Sequence, residues 1–312
     1  NINNGGTVIL NNLSADFNRI ISDFSSQLTG SLVKDGTSIT KLVAGQTYTG
    51  TTTIKSGTLL LGLNNALSAD SAVSIAGGKL DLGGNSQYIK RVNLASGTLA
   101  NGTLGTGSSV TSRGGTIDTI TATGIALSLA AADNVYNPLV TTMTGANTLG
   151  AVTINANSKL IIATLWGRSP GTYSTFSDME IKSGGVLQLG NGTEGGSFKM
   201  TSPDQVIKNG GTVYINVAVG YPMGDAEYKI TDLSSTEKGS FRISGGFILS
   251  KQHSYTGTTT LERGDLTFWT DNAIAQASKI IVKADGALAL GGKTQTSTEI
   301  SLEGGAIRNG SI

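Results

Sequence analysis

The chain has no cysteine, 4 prolines and one histidine in 312 residues. The first absence removes thiol catalysis, disulfides and every cysteine-built metal site. Charged residues make up only 14%, with 22 basic against 21 acidic side chains and a net charge of +1. No basic run interleaved with aromatics occurs, so the electrostatic footprint of a nucleic-acid binder is missing. No stretch approaches the ~18 consecutive apolar residues of a membrane-crossing helix. The most apolar runs lie near 125–132 and 160–166, and no signal peptide stands at Asn1. Membrane insertion of this segment is therefore not expected.

Glycine is abundant instead: its 44 residues are roughly twice the usual ~7%. Glycines repeatedly precede short alternating runs, as in Gly77-Gly78-Lys79-Leu80-Asp81-Leu82 and Gly184-Gly185-Val186-Leu187-Gln188-Leu189. Alternating apolar and polar residues predict strands with one buried face, which argues against disorder. Gly57, Gly78, Gly97 and Gly115, then Gly264, Gly286 and Gly305, recur roughly every 20 residues. Short strands, turn glycines and that period, without helical spacing between them, predict a β-solenoid whose coils stack about 4.8 Å apart. The expected fold is all-β, a right-handed parallel β-helix of roughly 14–15 coils over residues 1–312.

One phrase is written twice. YTGTTTIKSGTLLLGLNNALS begins at Tyr48, and YTGTTTLERGDLTFWTDNAIA begins at Tyr255. The duplication extends to about 3–104 and 208–312, with Asn4-Gly5-Gly6-Thr7-Val8 returning as Asn209-Gly210-Gly211-Thr212-Val213. The second copy runs to the last residue, so the chain is expected to be a piece of a longer protein. The pairing also decides between helix and strand near the start. Leu13, Phe17, Ile20, Ile21, Phe24 and Leu28 have helical spacing, but Leu28 corresponds to Glu237, which breaks the stripe. A strand over Arg19–Phe24 is expected instead.

The segment Gly30-Ser31-Leu32-Val33-Lys34-Asp35-Gly36, followed by Ala44-Gly45-Gln46-Thr47-Tyr48-Thr49-Gly50-Thr51-Thr52-Thr53-Ile54 and Gly57-Thr58-Leu59, resembles the autotransporter-associated β-strand repeat. Residues 230–290 resemble a more degenerate copy, with Ile243 at the Lys34 position and His253-Ser254 for Gln46-Thr47. The resemblance implies a Gram-negative type V secreted passenger. Such passengers are typically right-handed β-helices exported through the outer membrane by a C-terminal barrel. With no barrel strands and no leader, this chain would be part of the passenger only. The absence of cysteine suits a chain that crosses an envelope unfolded. Expected partners are host cell-surface or matrix components, or the same protein on another bacterium.

Catalytic motifs are sparse. A Ser-His-Asp arrangement would have to use His253, which is read as a polar loop residue beside the repeated Tyr-Thr-Gly. No G-x-S-x-G elbow, P-loop or H-E-x-x-H occurs. Ser244-Gly245-Gly246 lacks the Gly-Asp pair that would precede it in a serine-protease signature. The spacing of Asp178/Glu180 and Asp225/Glu227 puts each acid pair on one strand face, as a β-helical carbohydrate-active enzyme would need. Both pairs follow loop-like sequence and are read as solvated acids. Arg263-Gly264-Asp265 is an RGD triplet of the kind integrin ligands use. Its glycine, however, aligns with Gly57 and is explained by the coil corner alone. Two segments depart from strand alternation. Thr164–Phe176 carries Trp166, Arg168, Tyr173 and Phe176, and Val219–Glu227 carries Tyr221 and an insertion relative to the first copy. Rigid scaffolds present binding residues on such excursions, and Trp, Tyr and Arg are common anchors.

The expected activity is non-enzymatic adhesion or self-association, with no cofactor and no metal. A carbohydrate-active enzyme, or a stalk presenting a domain elsewhere in the chain, remains the alternative. Function is to be sought where the two copies disagree.

Overall fold

The computed structural model describes residues 1–131, 138–163, 173–193, 195–196, 198–202, 204–218, 223–224 and 228–312. Among the described residues there is no helix and 54% are strand, and the strands stack into a parallel β-solenoid of about 13 turns. The chain divides into two compact units, Asn1–Ala130 with Val140–Gly150 and Ala131–Leu139 with Ala151–Ile312.

In the first unit Val73, Val92, Val110 and Leu127 lie one above another in parallel register. A second column runs through Leu59, Leu80, Leu99 and Ile117. In the second unit Val213, Phe241, Thr259 and Ile280 form one column, and Ile215, Ile243, Leu261 and Val282 another. Side chains in these columns are almost completely buried. Each such Leu, Ile or Val contributes about 1.5–3 kcal/mol through removal from water. Alternation along each strand sends the intervening residues outward. Thr53, Ser74, Asn93, Thr111 and Ser128 accordingly form a column of short polar side chains on five successive turns.

The turn count is lower than a uniform period predicts because the turns differ in length. Val92 pairs with Val110, whereas Lys159 pairs with Val186, Val186 with Thr212 and Thr212 with Ser240. The middle of the chain thus uses about 26–28 residues per turn, which a 20-residue spacing overcounts. The N-terminal segment contains strands Asp16–Phe17 and Ile21–Asp23 and no helix. The second strand is shorter than the expected Arg19–Phe24. The chain turns at Phe24, whose N–H donates to the Asn4 and Leu28 carbonyls at 3.0 and 3.1 Å.

Candidate functional site

The duplicated phrase builds the same corner in both units. Tyr48 is buried, and its hydroxyl hydrogen-bonds Thr52 Oγ1. Thr52 Oγ1 meets Ser71 Oγ at 3.1 Å, and the Ser71 hydroxyl donates to the Gly50 carbonyl at 2.6 Å. Tyr255, Thr259, Ser278 and Gly257 repeat this chain of bonds. Burial pushes both phenols above their ordinary pKa. On the outside, Asp23 accepts the Gly30 N–H at 2.7 Å, the Thr49 N–H at 3.0 Å and the Thr49 hydroxyl at 2.7 Å. Asp232 does the same with Gly239 and Thr256. The Gly30 N–H first, and then the Thr49 hydroxyl, hold the Asp23 carboxyl below its ordinary value. The glycine is required because a Cβ on Gly50 or Gly257 would lie 2.2 Å from the carbonyl of Gly30 or Gly239. Every residue of Tyr-Thr-Gly therefore has a structural task.

A second repeated device caps backbone at another corner. Gln46 Oε1 accepts the Ile21 N–H at 2.9 Å, Gln87 Oε1 the Leu67 N–H at 3.0 Å, and Gln295 Oε1 the Ile274 N–H at 3.1 Å. His253 occupies this position in its own turn. Its Nδ1 accepts the Ile230 N–H at 3.0 Å, and only 3% of the residue is exposed. His253 lies between strands, as the loop reading has it, but it is buried and caps backbone. Nδ1 is held by backbone, so that nitrogen is not available to activate a nucleophile.

The other sequence candidates separate on inspection. Glu180 is bonded to Lys182 at 2.9 Å and to Lys208 at 3.2 Å, and Lys208 also lies 3.8 Å from Asp178. The Lys182 bond first, and then the Lys208 bond, lower the Glu180 pKa, the direction opposite to that of a general acid. Arg263-Gly264-Asp265 lies inside the strand Thr259–Phe268, paired in register with Asp285, Gly286 and Ala287. Arg263 and Asp265 are exposed, and Arg263 Nε donates to Ser244 Oγ at 2.5 Å. The triplet is thus fixed on a sheet instead of being carried on a loop tip. Phe176 is completely buried in the strand Ser174–Ile181 with its ring 5.3 Å from Phe198, so this expected anchor is core. Tyr173 remains at the surface beneath the Lys199 ammonium, 5.0 Å from the ring centre. Trp166, Arg168, Tyr221, Asp225 and Glu227 lie outside the described residues.

In the second unit, four successive corners line a groove of about 580 Å³. Its walls carry Lys229, Gln252, Ser254, Asn272, Gln276 and Thr296, and His253 and Ile274 border its base. The scaffold beneath is that of the first copy. Asn65 and Asn272 both have positive φ, and their Oδ1 atoms accept the N–H of Tyr88 and Thr296 at 3.0 and 2.8 Å. The side chains on that scaffold differ. Lys229, Gln252, Gln276 and Thr296 stand where the first copy has Ile20, Gly45, Ala69 and Tyr88. Close by in sequence, Trp269 replaces Gly62 while keeping its backbone bond, and 62% of it is exposed. None of these five residues announces itself by motif; residue-by-residue alignment of the two copies is the signal that finds them.

Comparison with family models, with curated proteins and with solved structures finds no match.

Proposed function

We propose that this chain is part of an autotransporter passenger, displayed on a Gram-negative cell surface, where it acts as a non-enzymatic adhesive or self-associating scaffold. The parallel β-solenoid is compatible with such a passenger. The observation that carries the reading is the outward column of Thr53, Ser74, Asn93, Thr111 and Ser128. A face of short hydroxyl and amide side chains repeated turn after turn offers many equivalent, individually weak contacts. Multivalent engagement of a like surface or a repetitive host polymer then gains avidity without any single strong site. The pairing of Asp178 and Glu180 with lysines favours this over a carbohydrate-cleaving enzyme.

The test is display of the segment on a non-adherent bacterium, scored for cell clumping and for attachment to host cells and matrix. Clumping or attachment that weakens when Thr53, Asn93 and Thr111 are replaced by lysine supports the proposal. A displayed segment that produces neither effect overturns it in favour of a spacer.

A further inference from the structure

We propose that the groove between the corners at Lys229, His253, Asn272 and Thr296 is a binding subsite for an acidic saccharide, with Lys229 taking the carboxylate. The inference deepens the adhesive reading and rests on it for its biological meaning, although the binding itself can be measured separately.

The argument starts from the copies. Both corners must satisfy the same backbone, and the capping bonds of Gln46, Gln87, His253 and Gln295 show that they do. Side chains that point away from that task are free to differ, and at four groove positions they do: Tyr88 becomes the shorter Thr296, which opens space, and the other three lengthen. Ile20 becomes Lys229, Gly45 becomes Gln252 and Ala69 becomes Gln276, so two apolar positions and a bare one all become long and polar. Stability does not call for this, because the exposed Lys229 and Gln276 side chains make no hydrogen bond or ion pair among the described residues.

The chemistry of the walls selects the ligand. The Gln276 amide can both donate and accept, Gln252 keeps its Oε1 while its Nε2 donates to the Asp271 carbonyl at 2.8 Å, Asn272 keeps its amide N–H groups while its Oδ1 holds the Thr296 N–H, and Ser254 and Thr296 bear hydroxyls. Such groups match the hydroxyls of a sugar ring. Among the described residues that line the groove there is one cation, Lys229, and no carboxylate. A neutral sugar would offer that ammonium only hydroxyl acceptors, whereas a uronic acid places its carboxylate there as a stronger, charge-assisted hydrogen bond. The groove volume of about 580 Å³ lies within the ~300–1,000 Å³ of small-molecule sites.

The experiment titrates the purified chain with trigalacturonate, maltotriose and triglutamate, followed by calorimetry or ligand-observed NMR. Trigalacturonate is expected to bind saturably and more tightly than either other probe. Lys229→Ile and Gln276→Ala, each installing the residue of the first copy at an exposed position, are expected to weaken it by about tenfold. Circular dichroism of both variants checks that the fold is kept. Absence of saturable trigalacturonate binding, equal binding of triglutamate or maltotriose, or unchanged affinity in both variants would overturn the assignment. The two readings fail separately. Uronate binding by a chain that supports no cell adhesion sinks the adhesive function alone. Adhesion by a chain that binds no uronate sinks the groove alone.

Discussion

Replacing His253 by alanine tests whether the corner cap matters to the fold. The Ile230 N–H that it accepts belongs to a residue 1% exposed, and His253 itself is 3% exposed. A buried donor left without its acceptor costs about 1–3 kcal/mol. The groove borders His253, so water entering the vacated space holds the loss to the lower part of that range, about 1–2 kcal/mol. Repeat architectures need not unfold in one step, which makes a local reading preferable to a melting temperature. Hydrogen exchange at the Ile230 amide should therefore accelerate by about 5–30-fold in His253→Ala. His253→Gln supplies the control, because Gln46 makes the same bond at 2.9 Å in the first copy. Its Ile230 exchange should stay within about 0.5 kcal/mol of the parent. Alanine exchanging at the parental rate, or glutamine exchanging as fast as alanine, would refute the capping argument.

Four further outcomes follow from the two corners. Gly50→Ala and Gly257→Ala should each destabilise by about 1–3 kcal/mol in denaturant titrations, since the added Cβ meets a carbonyl oxygen. Gly45→Ala, whose Cβ would find only Asn65 O at 3.8 Å, should be neutral or slightly stabilising. Tyr48→Phe and Tyr255→Phe each remove one buried hydroxyl bond and should cost about 1 kcal/mol while leaving circular dichroism unchanged. Asp23→Asn should lower the melting temperature at pH 7, with the deficit vanishing in acid. The sign follows from the lowered folded pKa of Asp23: the carboxylate stabilises above its unfolded value near 3.8 and ceases to as pH falls through the folded value. A deficit that persists unchanged at pH 2 would contradict this.

The fold was legible because glycine corners and alternating strands recur with one period, and a solenoid repeats its local solution at each turn. The number of turns was not, because one glycine period was carried across the stretch between Lys159 and Ser240, where turns are longer, although Thr164–Phe176 and Val219–Glu227 already departed from the pattern there. Phe176 was placed among loop anchors because a run of Gly, Pro and Ser precedes it. Its strand register, with Phe176 beside Met200 and its ring on Phe198, turns it inward. The capping role of His253, a residue between strands, was hidden because it follows Lys251-Gln252 and breaks a motif. The pairing with Gln46 held the correct answer, since two different side chains at one position share only an acceptor atom. The groove could not be read from any single stretch, because Lys229, Gln252, Gln276 and Thr296 come from four separate segments that stacking brings side by side.

The caps also give the coil a direction. Gln46 serves Ile21, Gln87 serves Leu67, Ser108 serves Ile89 and Asn147 serves Ile120, while His253 serves Ile230 and Gln295 serves Ile274. In each pair the donor is laid down first and its acceptor arrives one turn later. A turn therefore cannot complete its own corner; its successor does. The backbone ladder is cut alike from either side, but at the caps shortening the chain from the C-terminal side uncovers a buried N–H in the turn left behind, whereas shortening it from the N-terminal side frees a side-chain acceptor that water can serve. The two ends of the same coil should thus differ in how much trimming they withstand, and in the order in which turns add to a growing stack.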